Sequence, residues 1–407
     1  MNTSKPPLWT KNFILISLTC YFLVFIHFLT VSTVAIYSIE EFNASESIAG
    51  LASSIFFFGL IIARLLAGKY LNVIGRKKIT YIGLSLTFLL SILYIPVTQL
   101  ELFIFLRFLN GFLIGFALTT LQTAVIDIIP MERQGEGLSY FSINYILGTA
   151  TGPFIGILIV QHGHMYGIFI LSAIVAIISL ILAFFTKIPE VKVTKEQLDM
   201  MKGFQLKNFI EGKALPIAIL MGCIAFSYSS VTTFLSTYSV EIQLMSAASA
   251  FFIVFSVFNL ISRPINGKLF DTKGANIVMY PSIVLFALGF FIIGLAQSGF
   301  VLLLGAAIMG VGYGNLHTSS LAIAIKRTPR YRAGLANSTF FIIVECGVGI
   351  GPFILGYLIS TLGYRSMFLA IAGFVMCCLF LYYLVHGNKK ESEQGISEDA
   401  RASSVSR

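Results

Sequence analysis

Gly68-Lys69-Tyr70-Leu71-Asn72-Val73-Ile74-Gly75-Arg76-Lys77-Lys78 is answered 199 residues later by Gly267-Lys268-Leu269-Phe270-Asp271-Thr272-Lys273-Gly274. The same offset carries Arg64 onto Arg263, Gly111 and Gly115 onto Gly310 and Gly314, and Pro130 and Arg133 onto Pro329 and Arg332. It also carries Gly148, Gly152 and Pro153 onto Gly347, Gly351 and Pro352. Apolar residues coincide by chance in any greasy chain. Glycine, proline and arginine at one constant offset do not, so the chain reads as two related halves.

Outward from this repeat, the composition defines the solvent. Of 407 residues, 57% are hydrophobic and 11% are charged, about half the usual charged share of a soluble protein. There is too little polar surface to cover a globule in water. Apolar stretches long enough to cross a ~30 Å hydrocarbon core recur over 12–37, 48–71, 78–98, 102–126, 138–160, 167–187, 214–238, 247–269, 277–296, 300–325, 335–359 and 365–386. The first runs from Asn12 to Tyr37, too long for the apolar core of a cleavable signal peptide, and reads as the first membrane helix. The expected fold is an all-α integral membrane protein of twelve transmembrane helices, in two pseudo-symmetric six-helix bundles around a central cavity. Residues 1–187 form the first bundle, 188–213 a cytoplasmic central loop that could hold a surface helix, and 214–386 the second bundle. Residues 387–407, polar and serine-rich, read as a disordered cytoplasmic tail.

The net charge of +9 lies on one side. Lys5, Lys11, Lys69, Arg76, Lys77, Lys78, Arg133, the central loop, Lys268, Lys273, Lys326 and the tail share one set of connections. The opposite set holds Glu40, Glu41, Glu46, Glu101 and Glu241, with Arg365 as its one basic residue. Basic loops stay in the cytoplasm, so both termini are expected there. This asymmetry accounts for the charge without nucleic acid as a partner. The five cysteines, Cys20, Cys223, Cys346, Cys377 and Cys378, lie in apolar segments without metal-ligand spacing; they read as packing residues, and no metal site is expected.

The Gly-x6-Gly-Arg segment and its copy resemble the signature loop of the major facilitator superfamily. Two further motifs carry the resemblance. Arg107-Phe-Leu-Asn110-Gly111 in the fourth span is similar to the superfamily's Arg-x-x-Gln-Gly motif. Gly148-Thr-Ala-Thr-Gly152-Pro153-Phe-Ile-Gly156 in the fifth resembles the motif that marks its proton-coupled antiporters, with Ile157 in place of a common final glycine. The match covers residues 10–386, and the twelve-helix drug:proton antiporter branch of efflux pumps is the nearest likeness. One departure is plain: the family usually has an aspartate where this chain has Asn72, a residue thought to lock helices on the cytoplasmic side. Asn72 can hydrogen-bond but cannot form a salt bridge. Asp127, at the cytoplasmic end of the fourth span, is placed to pair with Arg76 instead. Asp271 keeps the acid in the second half, but Ala275 stands at the counterpart of Arg76.

In the family, spans 1, 4, 7 and 10 line the cavity, with 2, 5, 8 and 11 at its sides. The polar groups there are His27 in the first span, Arg107 in the fourth, Asn315 and His317 in the tenth, and Glu345 in the eleventh. A charged side chain deep in a membrane is costly, so it tends to face a cavity or a partner. A carboxyl in an apolar helix is poorly solvated when charged. Glu345 could therefore be neutral with a proton and charged without one, and the expectation is that it exchanges a proton for a substrate cation. The competing reading makes it half of a structural pair. Arg107, His27 and His317 are expected in protonation or substrate contact, against the plainer reading of satisfied helix residues. Tyr228 and Phe226 could stack on an aromatic or cationic substrate.

The expected activity is proton-coupled export of small organic molecules such as drugs or metabolites by alternating access. The proton gradient supplies the energy, with no cofactor. No nucleotide-binding loop, filter loop or soluble catalytic domain is seen, so the chain is not expected to be an enzyme. Proton symport of a nutrient is the alternative within transport; a non-transporting membrane sensor is the alternative outside it. The expected partners are a small-molecule substrate, protons and the lipid bilayer. A monomer in a bacterial plasma membrane is expected.

Overall fold

The computed structural model describes residues 6–130, 133–190, 210–328 and 333–388; the side chains of Gly68, Lys69, Asn72 and Asp271 also lie outside the described set. So do most of the central loop, the tail, and the Pro329 and Arg332 copies of Pro130 and Arg133. The first half holds α1 (Lys11–Phe42), α2 (Glu46–Ile74), α3 (Arg76–Leu93), α4 (Leu100–Ile128), α5 (Gln134–Gln161) and α6 (Gly167–Phe184). The second holds α7 (Leu215–Glu241), α8 (Met245–Lys273), α9 (Asn276–Gly294), α10 (Gly299–Lys326) and α11 (Ala333–Tyr382).

The element ends follow local chemistry. Thr10 opens α1 by accepting the Phe13 N–H through its hydroxyl at 3.2 Å, satisfying one orphan donor of the first turn. Gly75 (φ +102°) separates α2 from α3, and its repeat mate Gly274 (φ +86°) separates α8 from α9. Both sit where only glycine is unstrained; Gly75 replaces a loop with one residue, and Gly274 does so together with Ala275. In α11, Gly363 has φ +76° and ψ +167°, which breaks the helix into two limbs, 333–362 and 364–382. A π-turn, Tyr383–Gly387, closes the second limb.

Ten segments among the described residues are long and apolar enough to cross a membrane, two fewer than the twelve expected. The differences have physical causes. α3 spends its first turn on Arg76, Lys77 and Lys78 within only 18 residues, and the last two expected spans run together because a single glycine joins them. Large apolar side chains on the outside, Phe300 (77% exposed), Phe380 (67%) and Phe184 (64%) among them, belong to a surface that meets lipid rather than water.

The repeat is visible in the packing. α1 lies along α5 and α2 along α4; in the second half α7 lies along α11 and α8 along α10. A Cβ at Gly111 would stand 1.9 Å from the carbonyl oxygen of Phe56, and one at Gly310 would stand 2.2 Å from that of Phe255, the repeat mate of Phe56. Small residues here let helix backbones touch, which is how membrane helices gain contact without a hydrophobic drive. Gly111→Ala is therefore expected to cost about 1–3 kcal/mol by overpacking. A lower thermal midpoint for the purified protein would show it, while Gly373→Ala, with open space around it, leaves the midpoint unchanged.

Candidate functional site

The halves meet along α2 and α11, α5 and α8, and α1 and α7. α2 and the first limb of α11 run antiparallel, and their closest approaches lie at the end of the bundle remote from the termini. A Cβ at Gly50 would stand 2.1 Å from the Pro352 carbonyl oxygen, and one at Gly356 would stand 2.4 Å from that of Glu46. There Ser236 of α7 donates to the Ser32 carbonyl of α1 at 2.8 Å, and the Phe353 N–H donates to Ser54 Oγ at 3.1 Å.

Following the same seam toward the termini leads to Arg64 on α2 and Glu345 on α11, an ion pair of 2.9 Å between the halves. Both side chains are largely buried, 22% and 12% exposed. The pair is incomplete: Arg64 Nε and Glu345 Oε2 have no hydrogen-bond partner among the described residues. The Arg64 guanidinium also lies over the Phe341 ring, 5.9 Å from its centre, and Phe341 meets His317 at 5.8 Å between ring centres. Tyr145 of α5 lies within electrostatic reach of Arg64, Glu345 and Tyr313, yet it is 57% exposed. An exposed tyrosine amid groups from both halves marks open space between them, next to the pair.

The remaining expected site residues divide. Arg107 is fully buried on α4; its Nε donates to the Ala52 carbonyl at 3.3 Å and its guanidinium lies 4.8 Å from the Phe56 ring centre. Its guanidinium also lies within side-chain hydrogen-bonding reach of Tyr94, while Asn110 Oδ1 and His27 Nδ1 lack partners among the described residues. His27 sits among Phe28, Phe56 and Phe57, within reach of both Arg107 and Arg64. His317 is half-buried among Tyr313, Phe340 and Phe341. Three expected cavity residues have partners within the second half. Asn315 is buried, donating to the Val311 carbonyl at 2.7 Å and accepting from Ser262 at 3.3 Å, so it ties α10 to α8. Phe226 packs on Phe374 of the second limb of α11. Tyr228 is 5% exposed, stacks on Tyr313 at 4.2 Å and lies within electrostatic reach of Tyr145. Arg64, Tyr145 and Tyr313 were missed as site residues; the repeat singled out Arg64, but only as a marker.

The glycine motif of α5 lies against α1, with a Cβ at Gly152 2.8 Å from the Leu29 nitrogen and one at Gly148 2.5 Å from Val24. Pro153 follows inside α5. In the copy, a Cβ at Gly351 would stand 2.0 Å from Ser229 Oγ of α7, with Pro352 next. At the terminal end of the bundle, Arg76 pairs with Asp127, and Glu190 accepts the Arg76 and Lys77 N–H groups at 3.0 and 2.8 Å. Asp127 is 40% exposed, which weakens such a pair. Asp127→Asn is expected to lower the thermal midpoint by less than Gly111→Ala does.

The model of the Major Facilitator Superfamily matches residues 17–280 and 245–406. An uncharacterised MFS-type transporter of Methanocaldococcus jannaschii is 24% identical, over 86% of this chain and 92% of its own length. Multidrug resistance protein MdtG of Dickeya zeae is 23% identical over 97% of this chain and 98% of its own. Among solved structures, the nucleoside transporter NupG superposes with a TM-score of 0.74 at 15% identity, covering 92% of this chain and 99% of that one. A bacterial homologue of the human lysosomal transporter Spinster, inward-facing and unoccupied, gives 0.73 at 16%, covering 94% and 98%. With the repeat, the glycine-packed helices and a seam between two halves already in place, these matches make the chain a multi-pass membrane protein that belongs to the major facilitator superfamily.

Proposed function

We propose that this chain is a secondary active transporter that exports small organic molecules in exchange for protons by alternating access. The observation that carries the reading is the Arg64–Glu345 pair, which joins the halves at the edge of their contact. A proton on Glu345 removes its charge and frees Arg64, so protonation acts on the link between the halves and biases their equilibrium. A cationic group of a substrate competes with the proton for the same carboxylate. The antiporter-like motif of α5 and the relative named for multidrug resistance support the same direction. Each charge that enters gains ~2.3 kcal/mol per 100 mV, and no cofactor is required.

In this reading α3 and the two limbs of α11 each cross the bilayer, giving twelve crossings in a bacterial plasma membrane. The basic connections set both termini in the cytoplasm. The halves then touch at the outer side and open to the cytoplasm. Proton-driven uptake has one observation in its favour: protonating Glu345 uncovers a cation, which favours joint binding of a proton and an anion. Dye flux in energised inverted vesicles separates the two. Accumulation that collapses with the proton gradient supports export, and gradient-driven depletion supports uptake.

A further inference from the structure

The two halves repeat the arginine of the inter-half pair but not its acid. The offset that carries Arg64 onto Arg263 places Ile146 at the counterpart of Glu345. α5 packs along α8 as α11 packs along α2, so Arg263 stands where Arg64 stands and its carboxylate is missing. Arg263 is half-buried; its Nε donates to Asn259 Oδ1 at 3.2 Å on its own helix. Its terminal nitrogens have no acceptor, and no acidic side chain lies near it, among the described residues. It sits five residues, about 7.5 Å of helix rise, inside the exposed Lys268 of the same helix. An arginine within a membrane helix tends to face a cavity or a partner. It is also not isolated from the pair described above: His317 is within electrostatic reach of Arg263 and meets Phe341, the ring beneath the Arg64 guanidinium. Beside the missing acid, Tyr145 leaves open space.

We infer that Arg263 receives an anionic group of the transported molecule, a carboxylate or another oxyanion, at the place where the repeat lacks its acid. The inference rests on the transport reading and adds to it a substrate class. A guanidinium offers a fixed fork of donors matched to such groups. An oxyanion on Arg263 and a cationic group competing for Glu345 are compatible within one zwitterionic molecule, which keeps exchange with protons intact.

Rhodamine B, which bears a free carboxylate on a cationic ring system, and its ethyl ester, which masks that carboxylate, form a matched pair of probes. Their binding is measured by fluorescence polarisation on the full chain in lipid nanodiscs. The expected result is at least tenfold tighter binding of the free acid, a preference lost in Arg263→Gln and partly kept in Arg263→Lys, with ester binding unchanged in both. Equal affinities on the unaltered protein, or a preference that survives Arg263→Gln, overturns the inference. Proteoliposome flux separates this from the reading beneath it. Gradient-driven movement of the ester without preference for the acid sinks the inference alone. Carboxylate-dependent binding without gradient-driven flux supports an oxyanion site at Arg263 and sinks the transport reading.

Discussion

Glu345→Gln is expected to abolish gradient-driven export while leaving the chain folded and able to bind substrate. Glutamine keeps the shape and a carbonyl acceptor for Arg64 but carries neither the charge nor the exchangeable proton. If the pair of 2.9 Å is the step where a proton acts, uncoupling removes the whole drive. Coupling free energies between sites run at about 1–3 kcal/mol, so initial rates under a gradient are expected to fall by about 5- to 150-fold. Exchange without a gradient is expected to persist, because the halves can still rock. Stopped rates in both assays would point to a structural pair. Full gradient-driven export in the variant would remove Glu345 from proton coupling. Arg64→Gln provides the complement: it strands Glu345 without its partner, and the loss of a buried partner is costly.

The second large effect is expected at Gly50. Its absent Cβ leaves 2.1 Å to the Pro352 carbonyl oxygen, so Gly50→Val cannot close the remote end of the bundle as described here. The same change at Gly111 strikes within one half and damages the fold; at Gly50 it strikes between halves and damages one conformational state. Shifting a two-state equilibrium from one extreme to the other takes about 5.5 kcal/mol, and an overlap of this size against backbone is of that order. In a background without the five native cysteines, Ser236→Cys is buried in the closed seam. Combined with Gly50→Val it is expected to react with an impermeant maleimide much faster, and transport is expected to stop. Unchanged labelling and transport would show that α2 and α11 part by another route.

Much of this architecture was readable from residues alone, for a reason specific to membranes. Polar and glycine positions are so sparse in these helices that each one stands out, and the repeat made Arg64, Gly111, Gly152 and Gly351 conspicuous. The pairing of Arg76 with Asp127 could be anticipated because both lie at one end of adjacent helices. What the residues hid was azimuth. A helix that is apolar all round carries no stripe to say which way it faces, and so the partners of Asn315, Phe226 and Tyr228 within the second half, Ser262, Phe374 and Tyr313, were not legible. The partner of Glu345 was hidden for a related reason: it lies in the other half, and only the docking of the two halves brings Arg64 to it.

The break at Gly363 has a consequence for where the chain ends. A straight helix of 50 residues would be ~75 Å long, more than twice a hydrocarbon core. The chain must therefore turn back, and one backbone dihedral performs the turn that a loop performs elsewhere. The direction of the last segment hangs on that glycine: with it, residues 364–382 run back along the bundle; without it, they would continue the line of the first limb.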